Sequence, residues 1–349
     1  MNNLLVLVLF GSMIFGEFQR LPGLPLYLHD LVLIGFLLVN LRRLKLFRPI
    51  LWFALAAFVS LVMAAFKLPF NKILTAALYL LRFLAYSLLI DLKIDRRWLL
   101  IFSSGVALLG LAQYFFVPDT RFLAGLNWDD HYYRLLSTLL DPNFTGIILV
   151  LGLVLIYLSR PVSKRLLGLH FLALLLTYSR SSYLALVAAA LYLAWLKKKL
   201  QWFVLGLAIL ALALVLLPRP GGEGVKLERV LSGQQRLTNY RLGIDLWRQS
   251  PVFGLGFNTL KYYRDNPLSH SAGGLDSSLL FVLATTGIVG LLAYLNLLRC
   301  LWKKSLLLRV SLVALLVHSL FVNSLFYSFA MIWLFSLASL DKAKSSGKL

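Results

Sequence analysis

The sequence predicts an all-α, polytopic membrane protein with about twelve transmembrane helices and one long extracytoplasmic loop before the tenth. Three observations predict it. Of 349 residues, 60% are hydrophobic and only 14% charged, with mean hydropathy +0.82; a soluble domain is about 45–50% apolar and about 25% charged. Apolar runs of membrane-spanning length recur along the chain. The charges fall in the breaks between runs, and their sign balance alternates from one break to the next. A soluble enzyme is thereby excluded, as are a disordered chain and a disulfide scaffold, since Cys300 is the single cysteine. A net charge of +21 would suggest nucleic acid in a soluble protein. Here its placement in short breaks points to membrane topology, and no nucleic-acid partner is expected.

Runs of about 17–25 apolar residues can cross the hydrocarbon. In order they lie at roughly 2–18, 24–41, 49–66, 73–92, 98–117, 143–159, 166–178, 181–196, 201–217, 277–298, 306–320 and 324–340. The first follows Met1-Asn2-Asn3 and ends in Gly16-Glu17-Phe18 without a small-residue cleavage pattern, so it reads as a retained helix. Reading 166–196 as one helix would put Lys197, Lys198 and Lys199 opposite Arg160, Lys164 and Arg165; a turn at Tyr178-Ser179-Arg180-Ser181 keeps them together. One helix over 310–340 would be about 46 Å long against about 30 Å of hydrocarbon, so a hairpin near 318–323 is expected.

With the N-terminus in the cytoplasm, the inner loops gather twenty Lys and Arg against only Asp91, Asp95 and Asp341. The outer segments hold fourteen against ten acids. This is the positive-inside pattern, and it predicts both termini in the cytoplasm. The whole chain, 1–349, reads as one integral membrane domain. Five of the eight tryptophans (Trp52, Trp98, Trp195, Trp202, Trp302) fall near inner helix ends, where amphipathic rings favour the interface.

Two outer connections are too long to be turns, 118–142 and 218–276, and function is expected there. The second opens with Pro218-Arg219-Pro220-Gly221-Gly222 and then becomes amphipathic. Leu237, Tyr240, Ile244 and Trp247 recur at helical spacing beside Arg241, Asp245 and Arg248, which predicts a short helix lying on the membrane. Such a stripe is equally an ordinary interfacial helix with lipid-paired arginines. Asp276, at the start of the tenth run, has the plain alternative of a helix N-cap.

Several anchors coincide with a family pattern. Arg236 is followed fifteen positions later by Pro251-Val-Phe-Gly254-Leu-Gly256, and Asp276 stands eleven positions before Gly287-Ile-Val-Gly290. With Asp141-Pro-Asn143, Thr177-Tyr-Ser-Arg180 and the closing hairpin carrying His318, Ser319 and Asn323, the chain resembles the bacterial O-antigen ligase and polymerase superfamily of cell-envelope polysaccharide assembly. The likeness is strongest from about residue 120 onward. One departure stands out: ligases of the family carry His where this chain has Asp276, as polymerase-like branches often do, and His270 lies six residues earlier.

The resemblance implies transfer of a glycan from polyprenyl pyrophosphate to a sugar hydroxyl on the outer face, the acceptor being a glycan or a lipid-linked glycan. Pyrophosphate is already a good leaving group whose developing charge needs cations rather than a proton. Arginine's planar, permanently charged fork supplies them. Arg180, Arg236 and Arg241 are therefore the expected pyrophosphate clamp. The attacking hydroxyl needs a base, with inversion at the anomeric carbon; Asp276 is the first candidate and His270 the second. Asn143, His318 and Asn323 are further expected substrate contacts. Arg82 lies mid-helix, where a charge costs at least about 2.5–3.5 kcal/mol, so it should face a polar cavity as a pyrophosphate or lipid contact, or pair with an acid such as Asp30. His29 and His170 read as core residues. No metal-site spacing and no cofactor motif is visible, and a metal-independent reaction without a cofactor is expected. The competing class is a transporter or flippase for a lipid-linked or anionic substrate, whose arginines bind without chemistry.

Overall fold

The computed structural model describes residues 2–21, 26–126, 128–159, 161–218, 220–227, 231–264 and 274–345. Among them the chain is all-helical, with thirteen α-helices and no strand. They are α1 (Asn2–Met13), α2 (Leu28–Val39), α3 (Arg48–Ala65), α4 (Phe70–Ser87), α5 (Arg96–Phe116), α6 (Pro142–Leu158), α7 (Lys164–Leu176), α8 (Arg180–Leu196), α9 (Leu200–Leu216), α10 (Leu231–Arg248), α11 (Ser278–Trp302), α12 (Leu306–His318) and α13 (Ser328–Ser345). Each apolar run of the sequence contains one helix, and α10 falls in the 218–276 connection. Four helical stretches, Arg48–Ala65, Phe70–Asp91, Arg96–Phe116 and Ser278–Trp302, are long and apolar enough to cross a membrane. Seven others are apolar but shorter, 10–17 residues. A 12-residue helix such as α1 rises only about 18 Å, against about 30 Å of hydrocarbon.

α6 runs through the centre of the bundle, with every residue from Thr145 to Ile156 buried. α9 lies at the edge: Leu210 is its one buried residue, so its apolar side chains face outward, as they would toward lipid. The two turns that charge placement required are present. Tyr178 turns in the left-handed region at φ 50° between α7 and α8, and α12 ends at His318 well before α13 begins at Ser328.

The first run departs from expectation. Its helix stops at Met13 instead of continuing to residue 18, because Gly16 takes φ +55° directly against the Thr138 carbonyl, where no Cβ would fit. The chain then folds Glu17 inward, leaving it 7% exposed.

The two ends of the bundle differ in chemistry. At one end the basic loops meet: Lys45 N–H donates to Asp91, Lys304 lies over Phe47, Lys197 lies over Tyr157, and Lys93, Asp95 and Arg96 line a cleft with Ser159 and Ser305. At the other end lie the N-termini of α6, α8 and α11, the C-termini of α7 and α12, and α10. Backbone contacts such as Ser278 N–H to Ser319 O (3.0 Å) and Leu135 N–H to Leu176 O (2.8 Å) bind them together.

One device fixes α10 to this end. α11 is broken at Gly287 (φ 65°, ψ −167°), a conformation open essentially to glycine alone. The break frees carbonyls and amides, and the Pro251-to-Gly256 turn fills them. Leu255 and Gly256 donate to Ala284 O and Thr285 O at 3.0 Å each, while Ile288 and Val289 donate to Pro251 O and Val252 O. Gly254 (φ +72°) permits this contact, since a Cβ there would enter the Thr285 carbonyl.

Candidate functional site

α10 carries Arg236, and the way it packs decides which arginine reaches inward. The sequence sets Leu237, Tyr240, Ile244 and Trp247 along one side of a helix lying on the membrane, and of these Leu237 and Ile244 are exposed while Tyr240 and Trp247 are half-buried. The inward face runs through Arg236 over Phe321, Tyr240 donating to Leu320 O, Gly243 against Leu275 and Leu280, and Trp247 donating to Pro251 O. Gly243 sits so close to Leu280 and Leu275 that a Cβ would collide with them, which rotates the helix toward that side. Arg241, about 140° further round at 3.6 residues per turn, is exposed and does not join the cluster.

Arg236 is half-buried, with its guanidinium 5.4 Å over the Phe321 ring. Asp276 lies within its electrostatic reach and also within that of Arg264, which donates to Gly274 O at 2.7 Å. Arg180, whose Nη1 donates to Leu227 O at 3.0 Å, is close enough to Arg236 to repel it. Three guanidinium groups and one carboxylate thus share this end of the bundle. The N-cap role that would have explained Asp276 away falls to Ser277, whose side chain accepts from Leu280 N–H, while the Asp276 amide donates to Asn239 Oδ1 at 2.9 Å. Burial raises the Asp276 carboxyl above its ordinary value, and Arg236 and Arg264 only partly pull it back. Burial also lowers the Arg236 guanidinium, which stays charged at any working pH.

Beside this cluster runs a buried hydroxyl network. Ser179 Oγ donates to Asn143 Oδ1 at 2.8 Å, and the fully buried His318 places Nε2 at 3.2 Å from Ser181 Oγ and 3.3 Å from Ser182 Oγ. Arg236 is within electrostatic range of His318. The structure therefore brings together Arg180, Arg236, Asp276, Asn143 and His318 from five separate stretches of chain. His270 lies outside the described residues.

Arg82 and Asn323 stand elsewhere. Arg82 Nη2 is 3.1 Å from Asp30 Oδ2, the structural pairing considered from the sequence, and its guanidinium lies 5.1 Å over the rings of Tyr27 and Tyr79. Both residues line an inner cavity of about 260 Å³ with Glu17, Arg20, Tyr27 and Asp141. His29 and His170 are buried core residues bonded to Tyr86 and Ser103.

Sequence reasoning passed over Arg264 and Glu17. Arg264 sits in the long connection with no periodicity to mark it. Glu17 had a usable signal, being an acid in a run long enough to cross a membrane, where ionised groups are costly and tend to be functional. Among the described residues, no three His, Cys, Asp or Glu side chains form a group that could hold a metal ion.

A bundle of apolar helices, four of them long enough to cross a membrane, with arginines and a carboxylate gathered at one end, defines an integral membrane protein. Residues 165–295 match the family model described as O-Antigen ligase, and over this segment the resemblance to the O-antigen ligase and polymerase superfamily is shown. The match takes in Arg180, Arg236, Arg241 and Asp276 together with both glycine motifs; Glu17, Arg82, Asn143, His318 and Asn323 lie outside it. No curated protein matches the chain.

Proposed function

We propose that this protein is a membrane glycosyltransferase that moves a glycan from polyprenyl pyrophosphate to a sugar hydroxyl at the outer face of the inner membrane. The observation that carries the reading is the gathering of Arg236 and Arg264 around Asp276, with Arg180 beside Arg236, on a chain whose 165–295 segment matches the O-antigen ligase family. Arg180 and Arg236 hold the diphosphate oxygens through forked contacts and stabilise the charge that grows as the C1–O bond breaks. Asp276 takes the proton from the acceptor hydroxyl, whose oxygen attacks the anomeric carbon from the face opposite the leaving group and inverts it. Its raised proton affinity suits that task. The arginines supply the positive charge at the leaving group, so the reaction is proposed to run without a metal ion or cofactor. Asn143, His318 and the three serines around them orient the helix ends that carry the clamp.

The test is transfer by purified protein given a lipid-pyrophosphate glycan and an acceptor glycan. Asp276→Asn is expected to lower kcat by 10²-fold or more, the range for removing a general base, and Arg236→Gln by about 10²–10³-fold, the range for removing one oxyanion donor. Unchanged product from both variants would remove the site assignment. Movement of the lipid across vesicles without transfer would make the protein a transporter.

A further inference from the structure

The inner cavity of about 260 Å³ is chemically unlike the arginine cluster beside it. Its charged lining is Glu17, Asp129 and Asp141 against Arg20 and Arg82, and Arg82 already faces Asp30 at 3.1 Å. A diphosphate would meet more acid than base there. The walls are aromatic, including Trp128, Phe144, Phe257 and Tyr327, with Phe144 and Tyr327 stacked at 3.9 Å. Flat apolar faces combined with several fixed hydrogen-bonding groups suit a ring with one C–H face and a rim of hydroxyls. The volume, just under the ~300 Å³ at which small-molecule pockets begin, suits one such ring.

Polar capacity is present as well. Glu17 accepts from the Tyr27 hydroxyl at 2.9 and 3.1 Å and has the Tyr327 hydroxyl within reach, which among the described residues leaves part of a carboxylate's capacity of about four hydrogen bonds unused. Arg82 Nε and Asn323 Oδ1 are buried and have no hydrogen-bond partner among the described residues. Buried polar atoms in this condition are costly, and a ligand hydroxyl, donor and acceptor at once, satisfies both kinds.

The cavity adjoins the arginine cluster. The segment between α12 and α13 carries Phe321 under Arg236 and, two residues later, Asn323 in the cavity wall. The start of α6 puts Asp141 in the cavity wall and Asn143 in the hydroxyl network of the cluster. Cluster and cavity are thus two sides of the same walls, within about 7 Å along the chain at 3.3–3.6 Å per residue.

We propose that this cavity is a monosaccharide subsite for the acceptor, with Glu17 and Asn323 binding hydroxyls of a neutral pyranose ring. The proposal rests on the transferase reading above but has its own readout, which is sugar binding without transfer. The probe is a panel of methyl pyranosides, including the glucoside, galactoside, rhamnoside and N-acetylglucosaminide, titrated onto the full-length purified protein by calorimetry or saturation-transfer NMR.

At least one glycoside is expected to bind saturably, tenfold or more weakly to Glu17→Gln, and with unchanged affinity to Arg236→Gln. In the transfer assay Glu17→Gln is expected to raise KM for the acceptor with KM for the donor unchanged. If Glu17→Gln fails to fold by thermal unfolding, Asn323→Ala decides, and wild-type affinity in that variant overturns the proposal. No binding of any glycoside overturns it too, as does binding lost in Arg236→Gln but retained in Glu17→Gln. Binding of the expected pattern with no transfer from any donor would leave the subsite standing and bring down the transferase.

Discussion

Asp276 has a proton affinity set by two opposed effects, and the structure decides between them. Burial pushes the carboxyl up, while Arg236 and Arg264 pull it down by less. If the deprotonated form is the working base, activity falls on acidification through a midpoint above the ordinary 3.8. Removing a cation weakens the downward pull, so Arg264→Gln is expected to move the acid limb of kcat/KM to higher pH; a limb that stays put or moves down refutes Asp276 as the base. Arg82 offers a second residue-scale test. It is 8% exposed, with Asp30 at 3.1 Å, so Asp30→Asn strands a buried charge and is expected to cost about 3–5 kcal/mol. The double variant with Arg82→Met should recover most of the lost thermal stability. Which single residues matter was only partly legible. Arg236 and Arg241 are equally basic in the sequence, and only the rotation of α10 imposed by Gly243 separates them.

At the scale of elements, the broken helix α11 and the turn threaded into it explain two glycine motifs that are individually weak as sequence signals. Gly287 at φ 65° and Gly254 at φ +72° face each other's backbones so closely that a Cβ on either would strike the partner segment. Gly287→Ala is expected to lose at least about 1–3 kcal/mol from its backbone conformation alone, and more from the collision with the Val252 carbonyl. It should show as a lower Tm in detergent, together with lost transfer because α10 is released from the site. Wild-type Tm and activity would mean that the clip has no such role. Helix existence was legible in nearly every run, since long apolar stretches between basic breaks leave little else the chain can form in lipid. Helix ends were less so. α1 stops five residues short of its apolar run because of a contact with Thr138, more than a hundred positions away.

For the molecule as a whole, the separation of a basic end from the end carrying Asp276 bears directly on orientation. By the positive-inside rule the basic end is expected in the cytoplasm. In a Cys300→Ser background, Arg241→Cys is expected to react with a membrane-impermeant maleimide in intact spheroplasts, and Lys198→Cys only after permeabilisation. The reverse pattern would place the site on the cytoplasmic side and sink the proposed reaction.

The sequence by itself determined the class of molecule, the run-by-run order of its helices, the two turns that keep basic loops together, and the resemblance that points to glycan transfer. These follow from composition and local pattern, because apolar length and loop charge act on each segment independently. The tertiary structure alone decided that Arg264 joins Arg236 at Asp276, that Arg241 does not, and that Glu17 turns inward to an aromatic cavity. Those outcomes depend on close approaches between residues far apart in the chain, such as Gly16 to Thr138 and Gly254 to Thr285, and no local pattern encodes which distant backbone a glycine will meet.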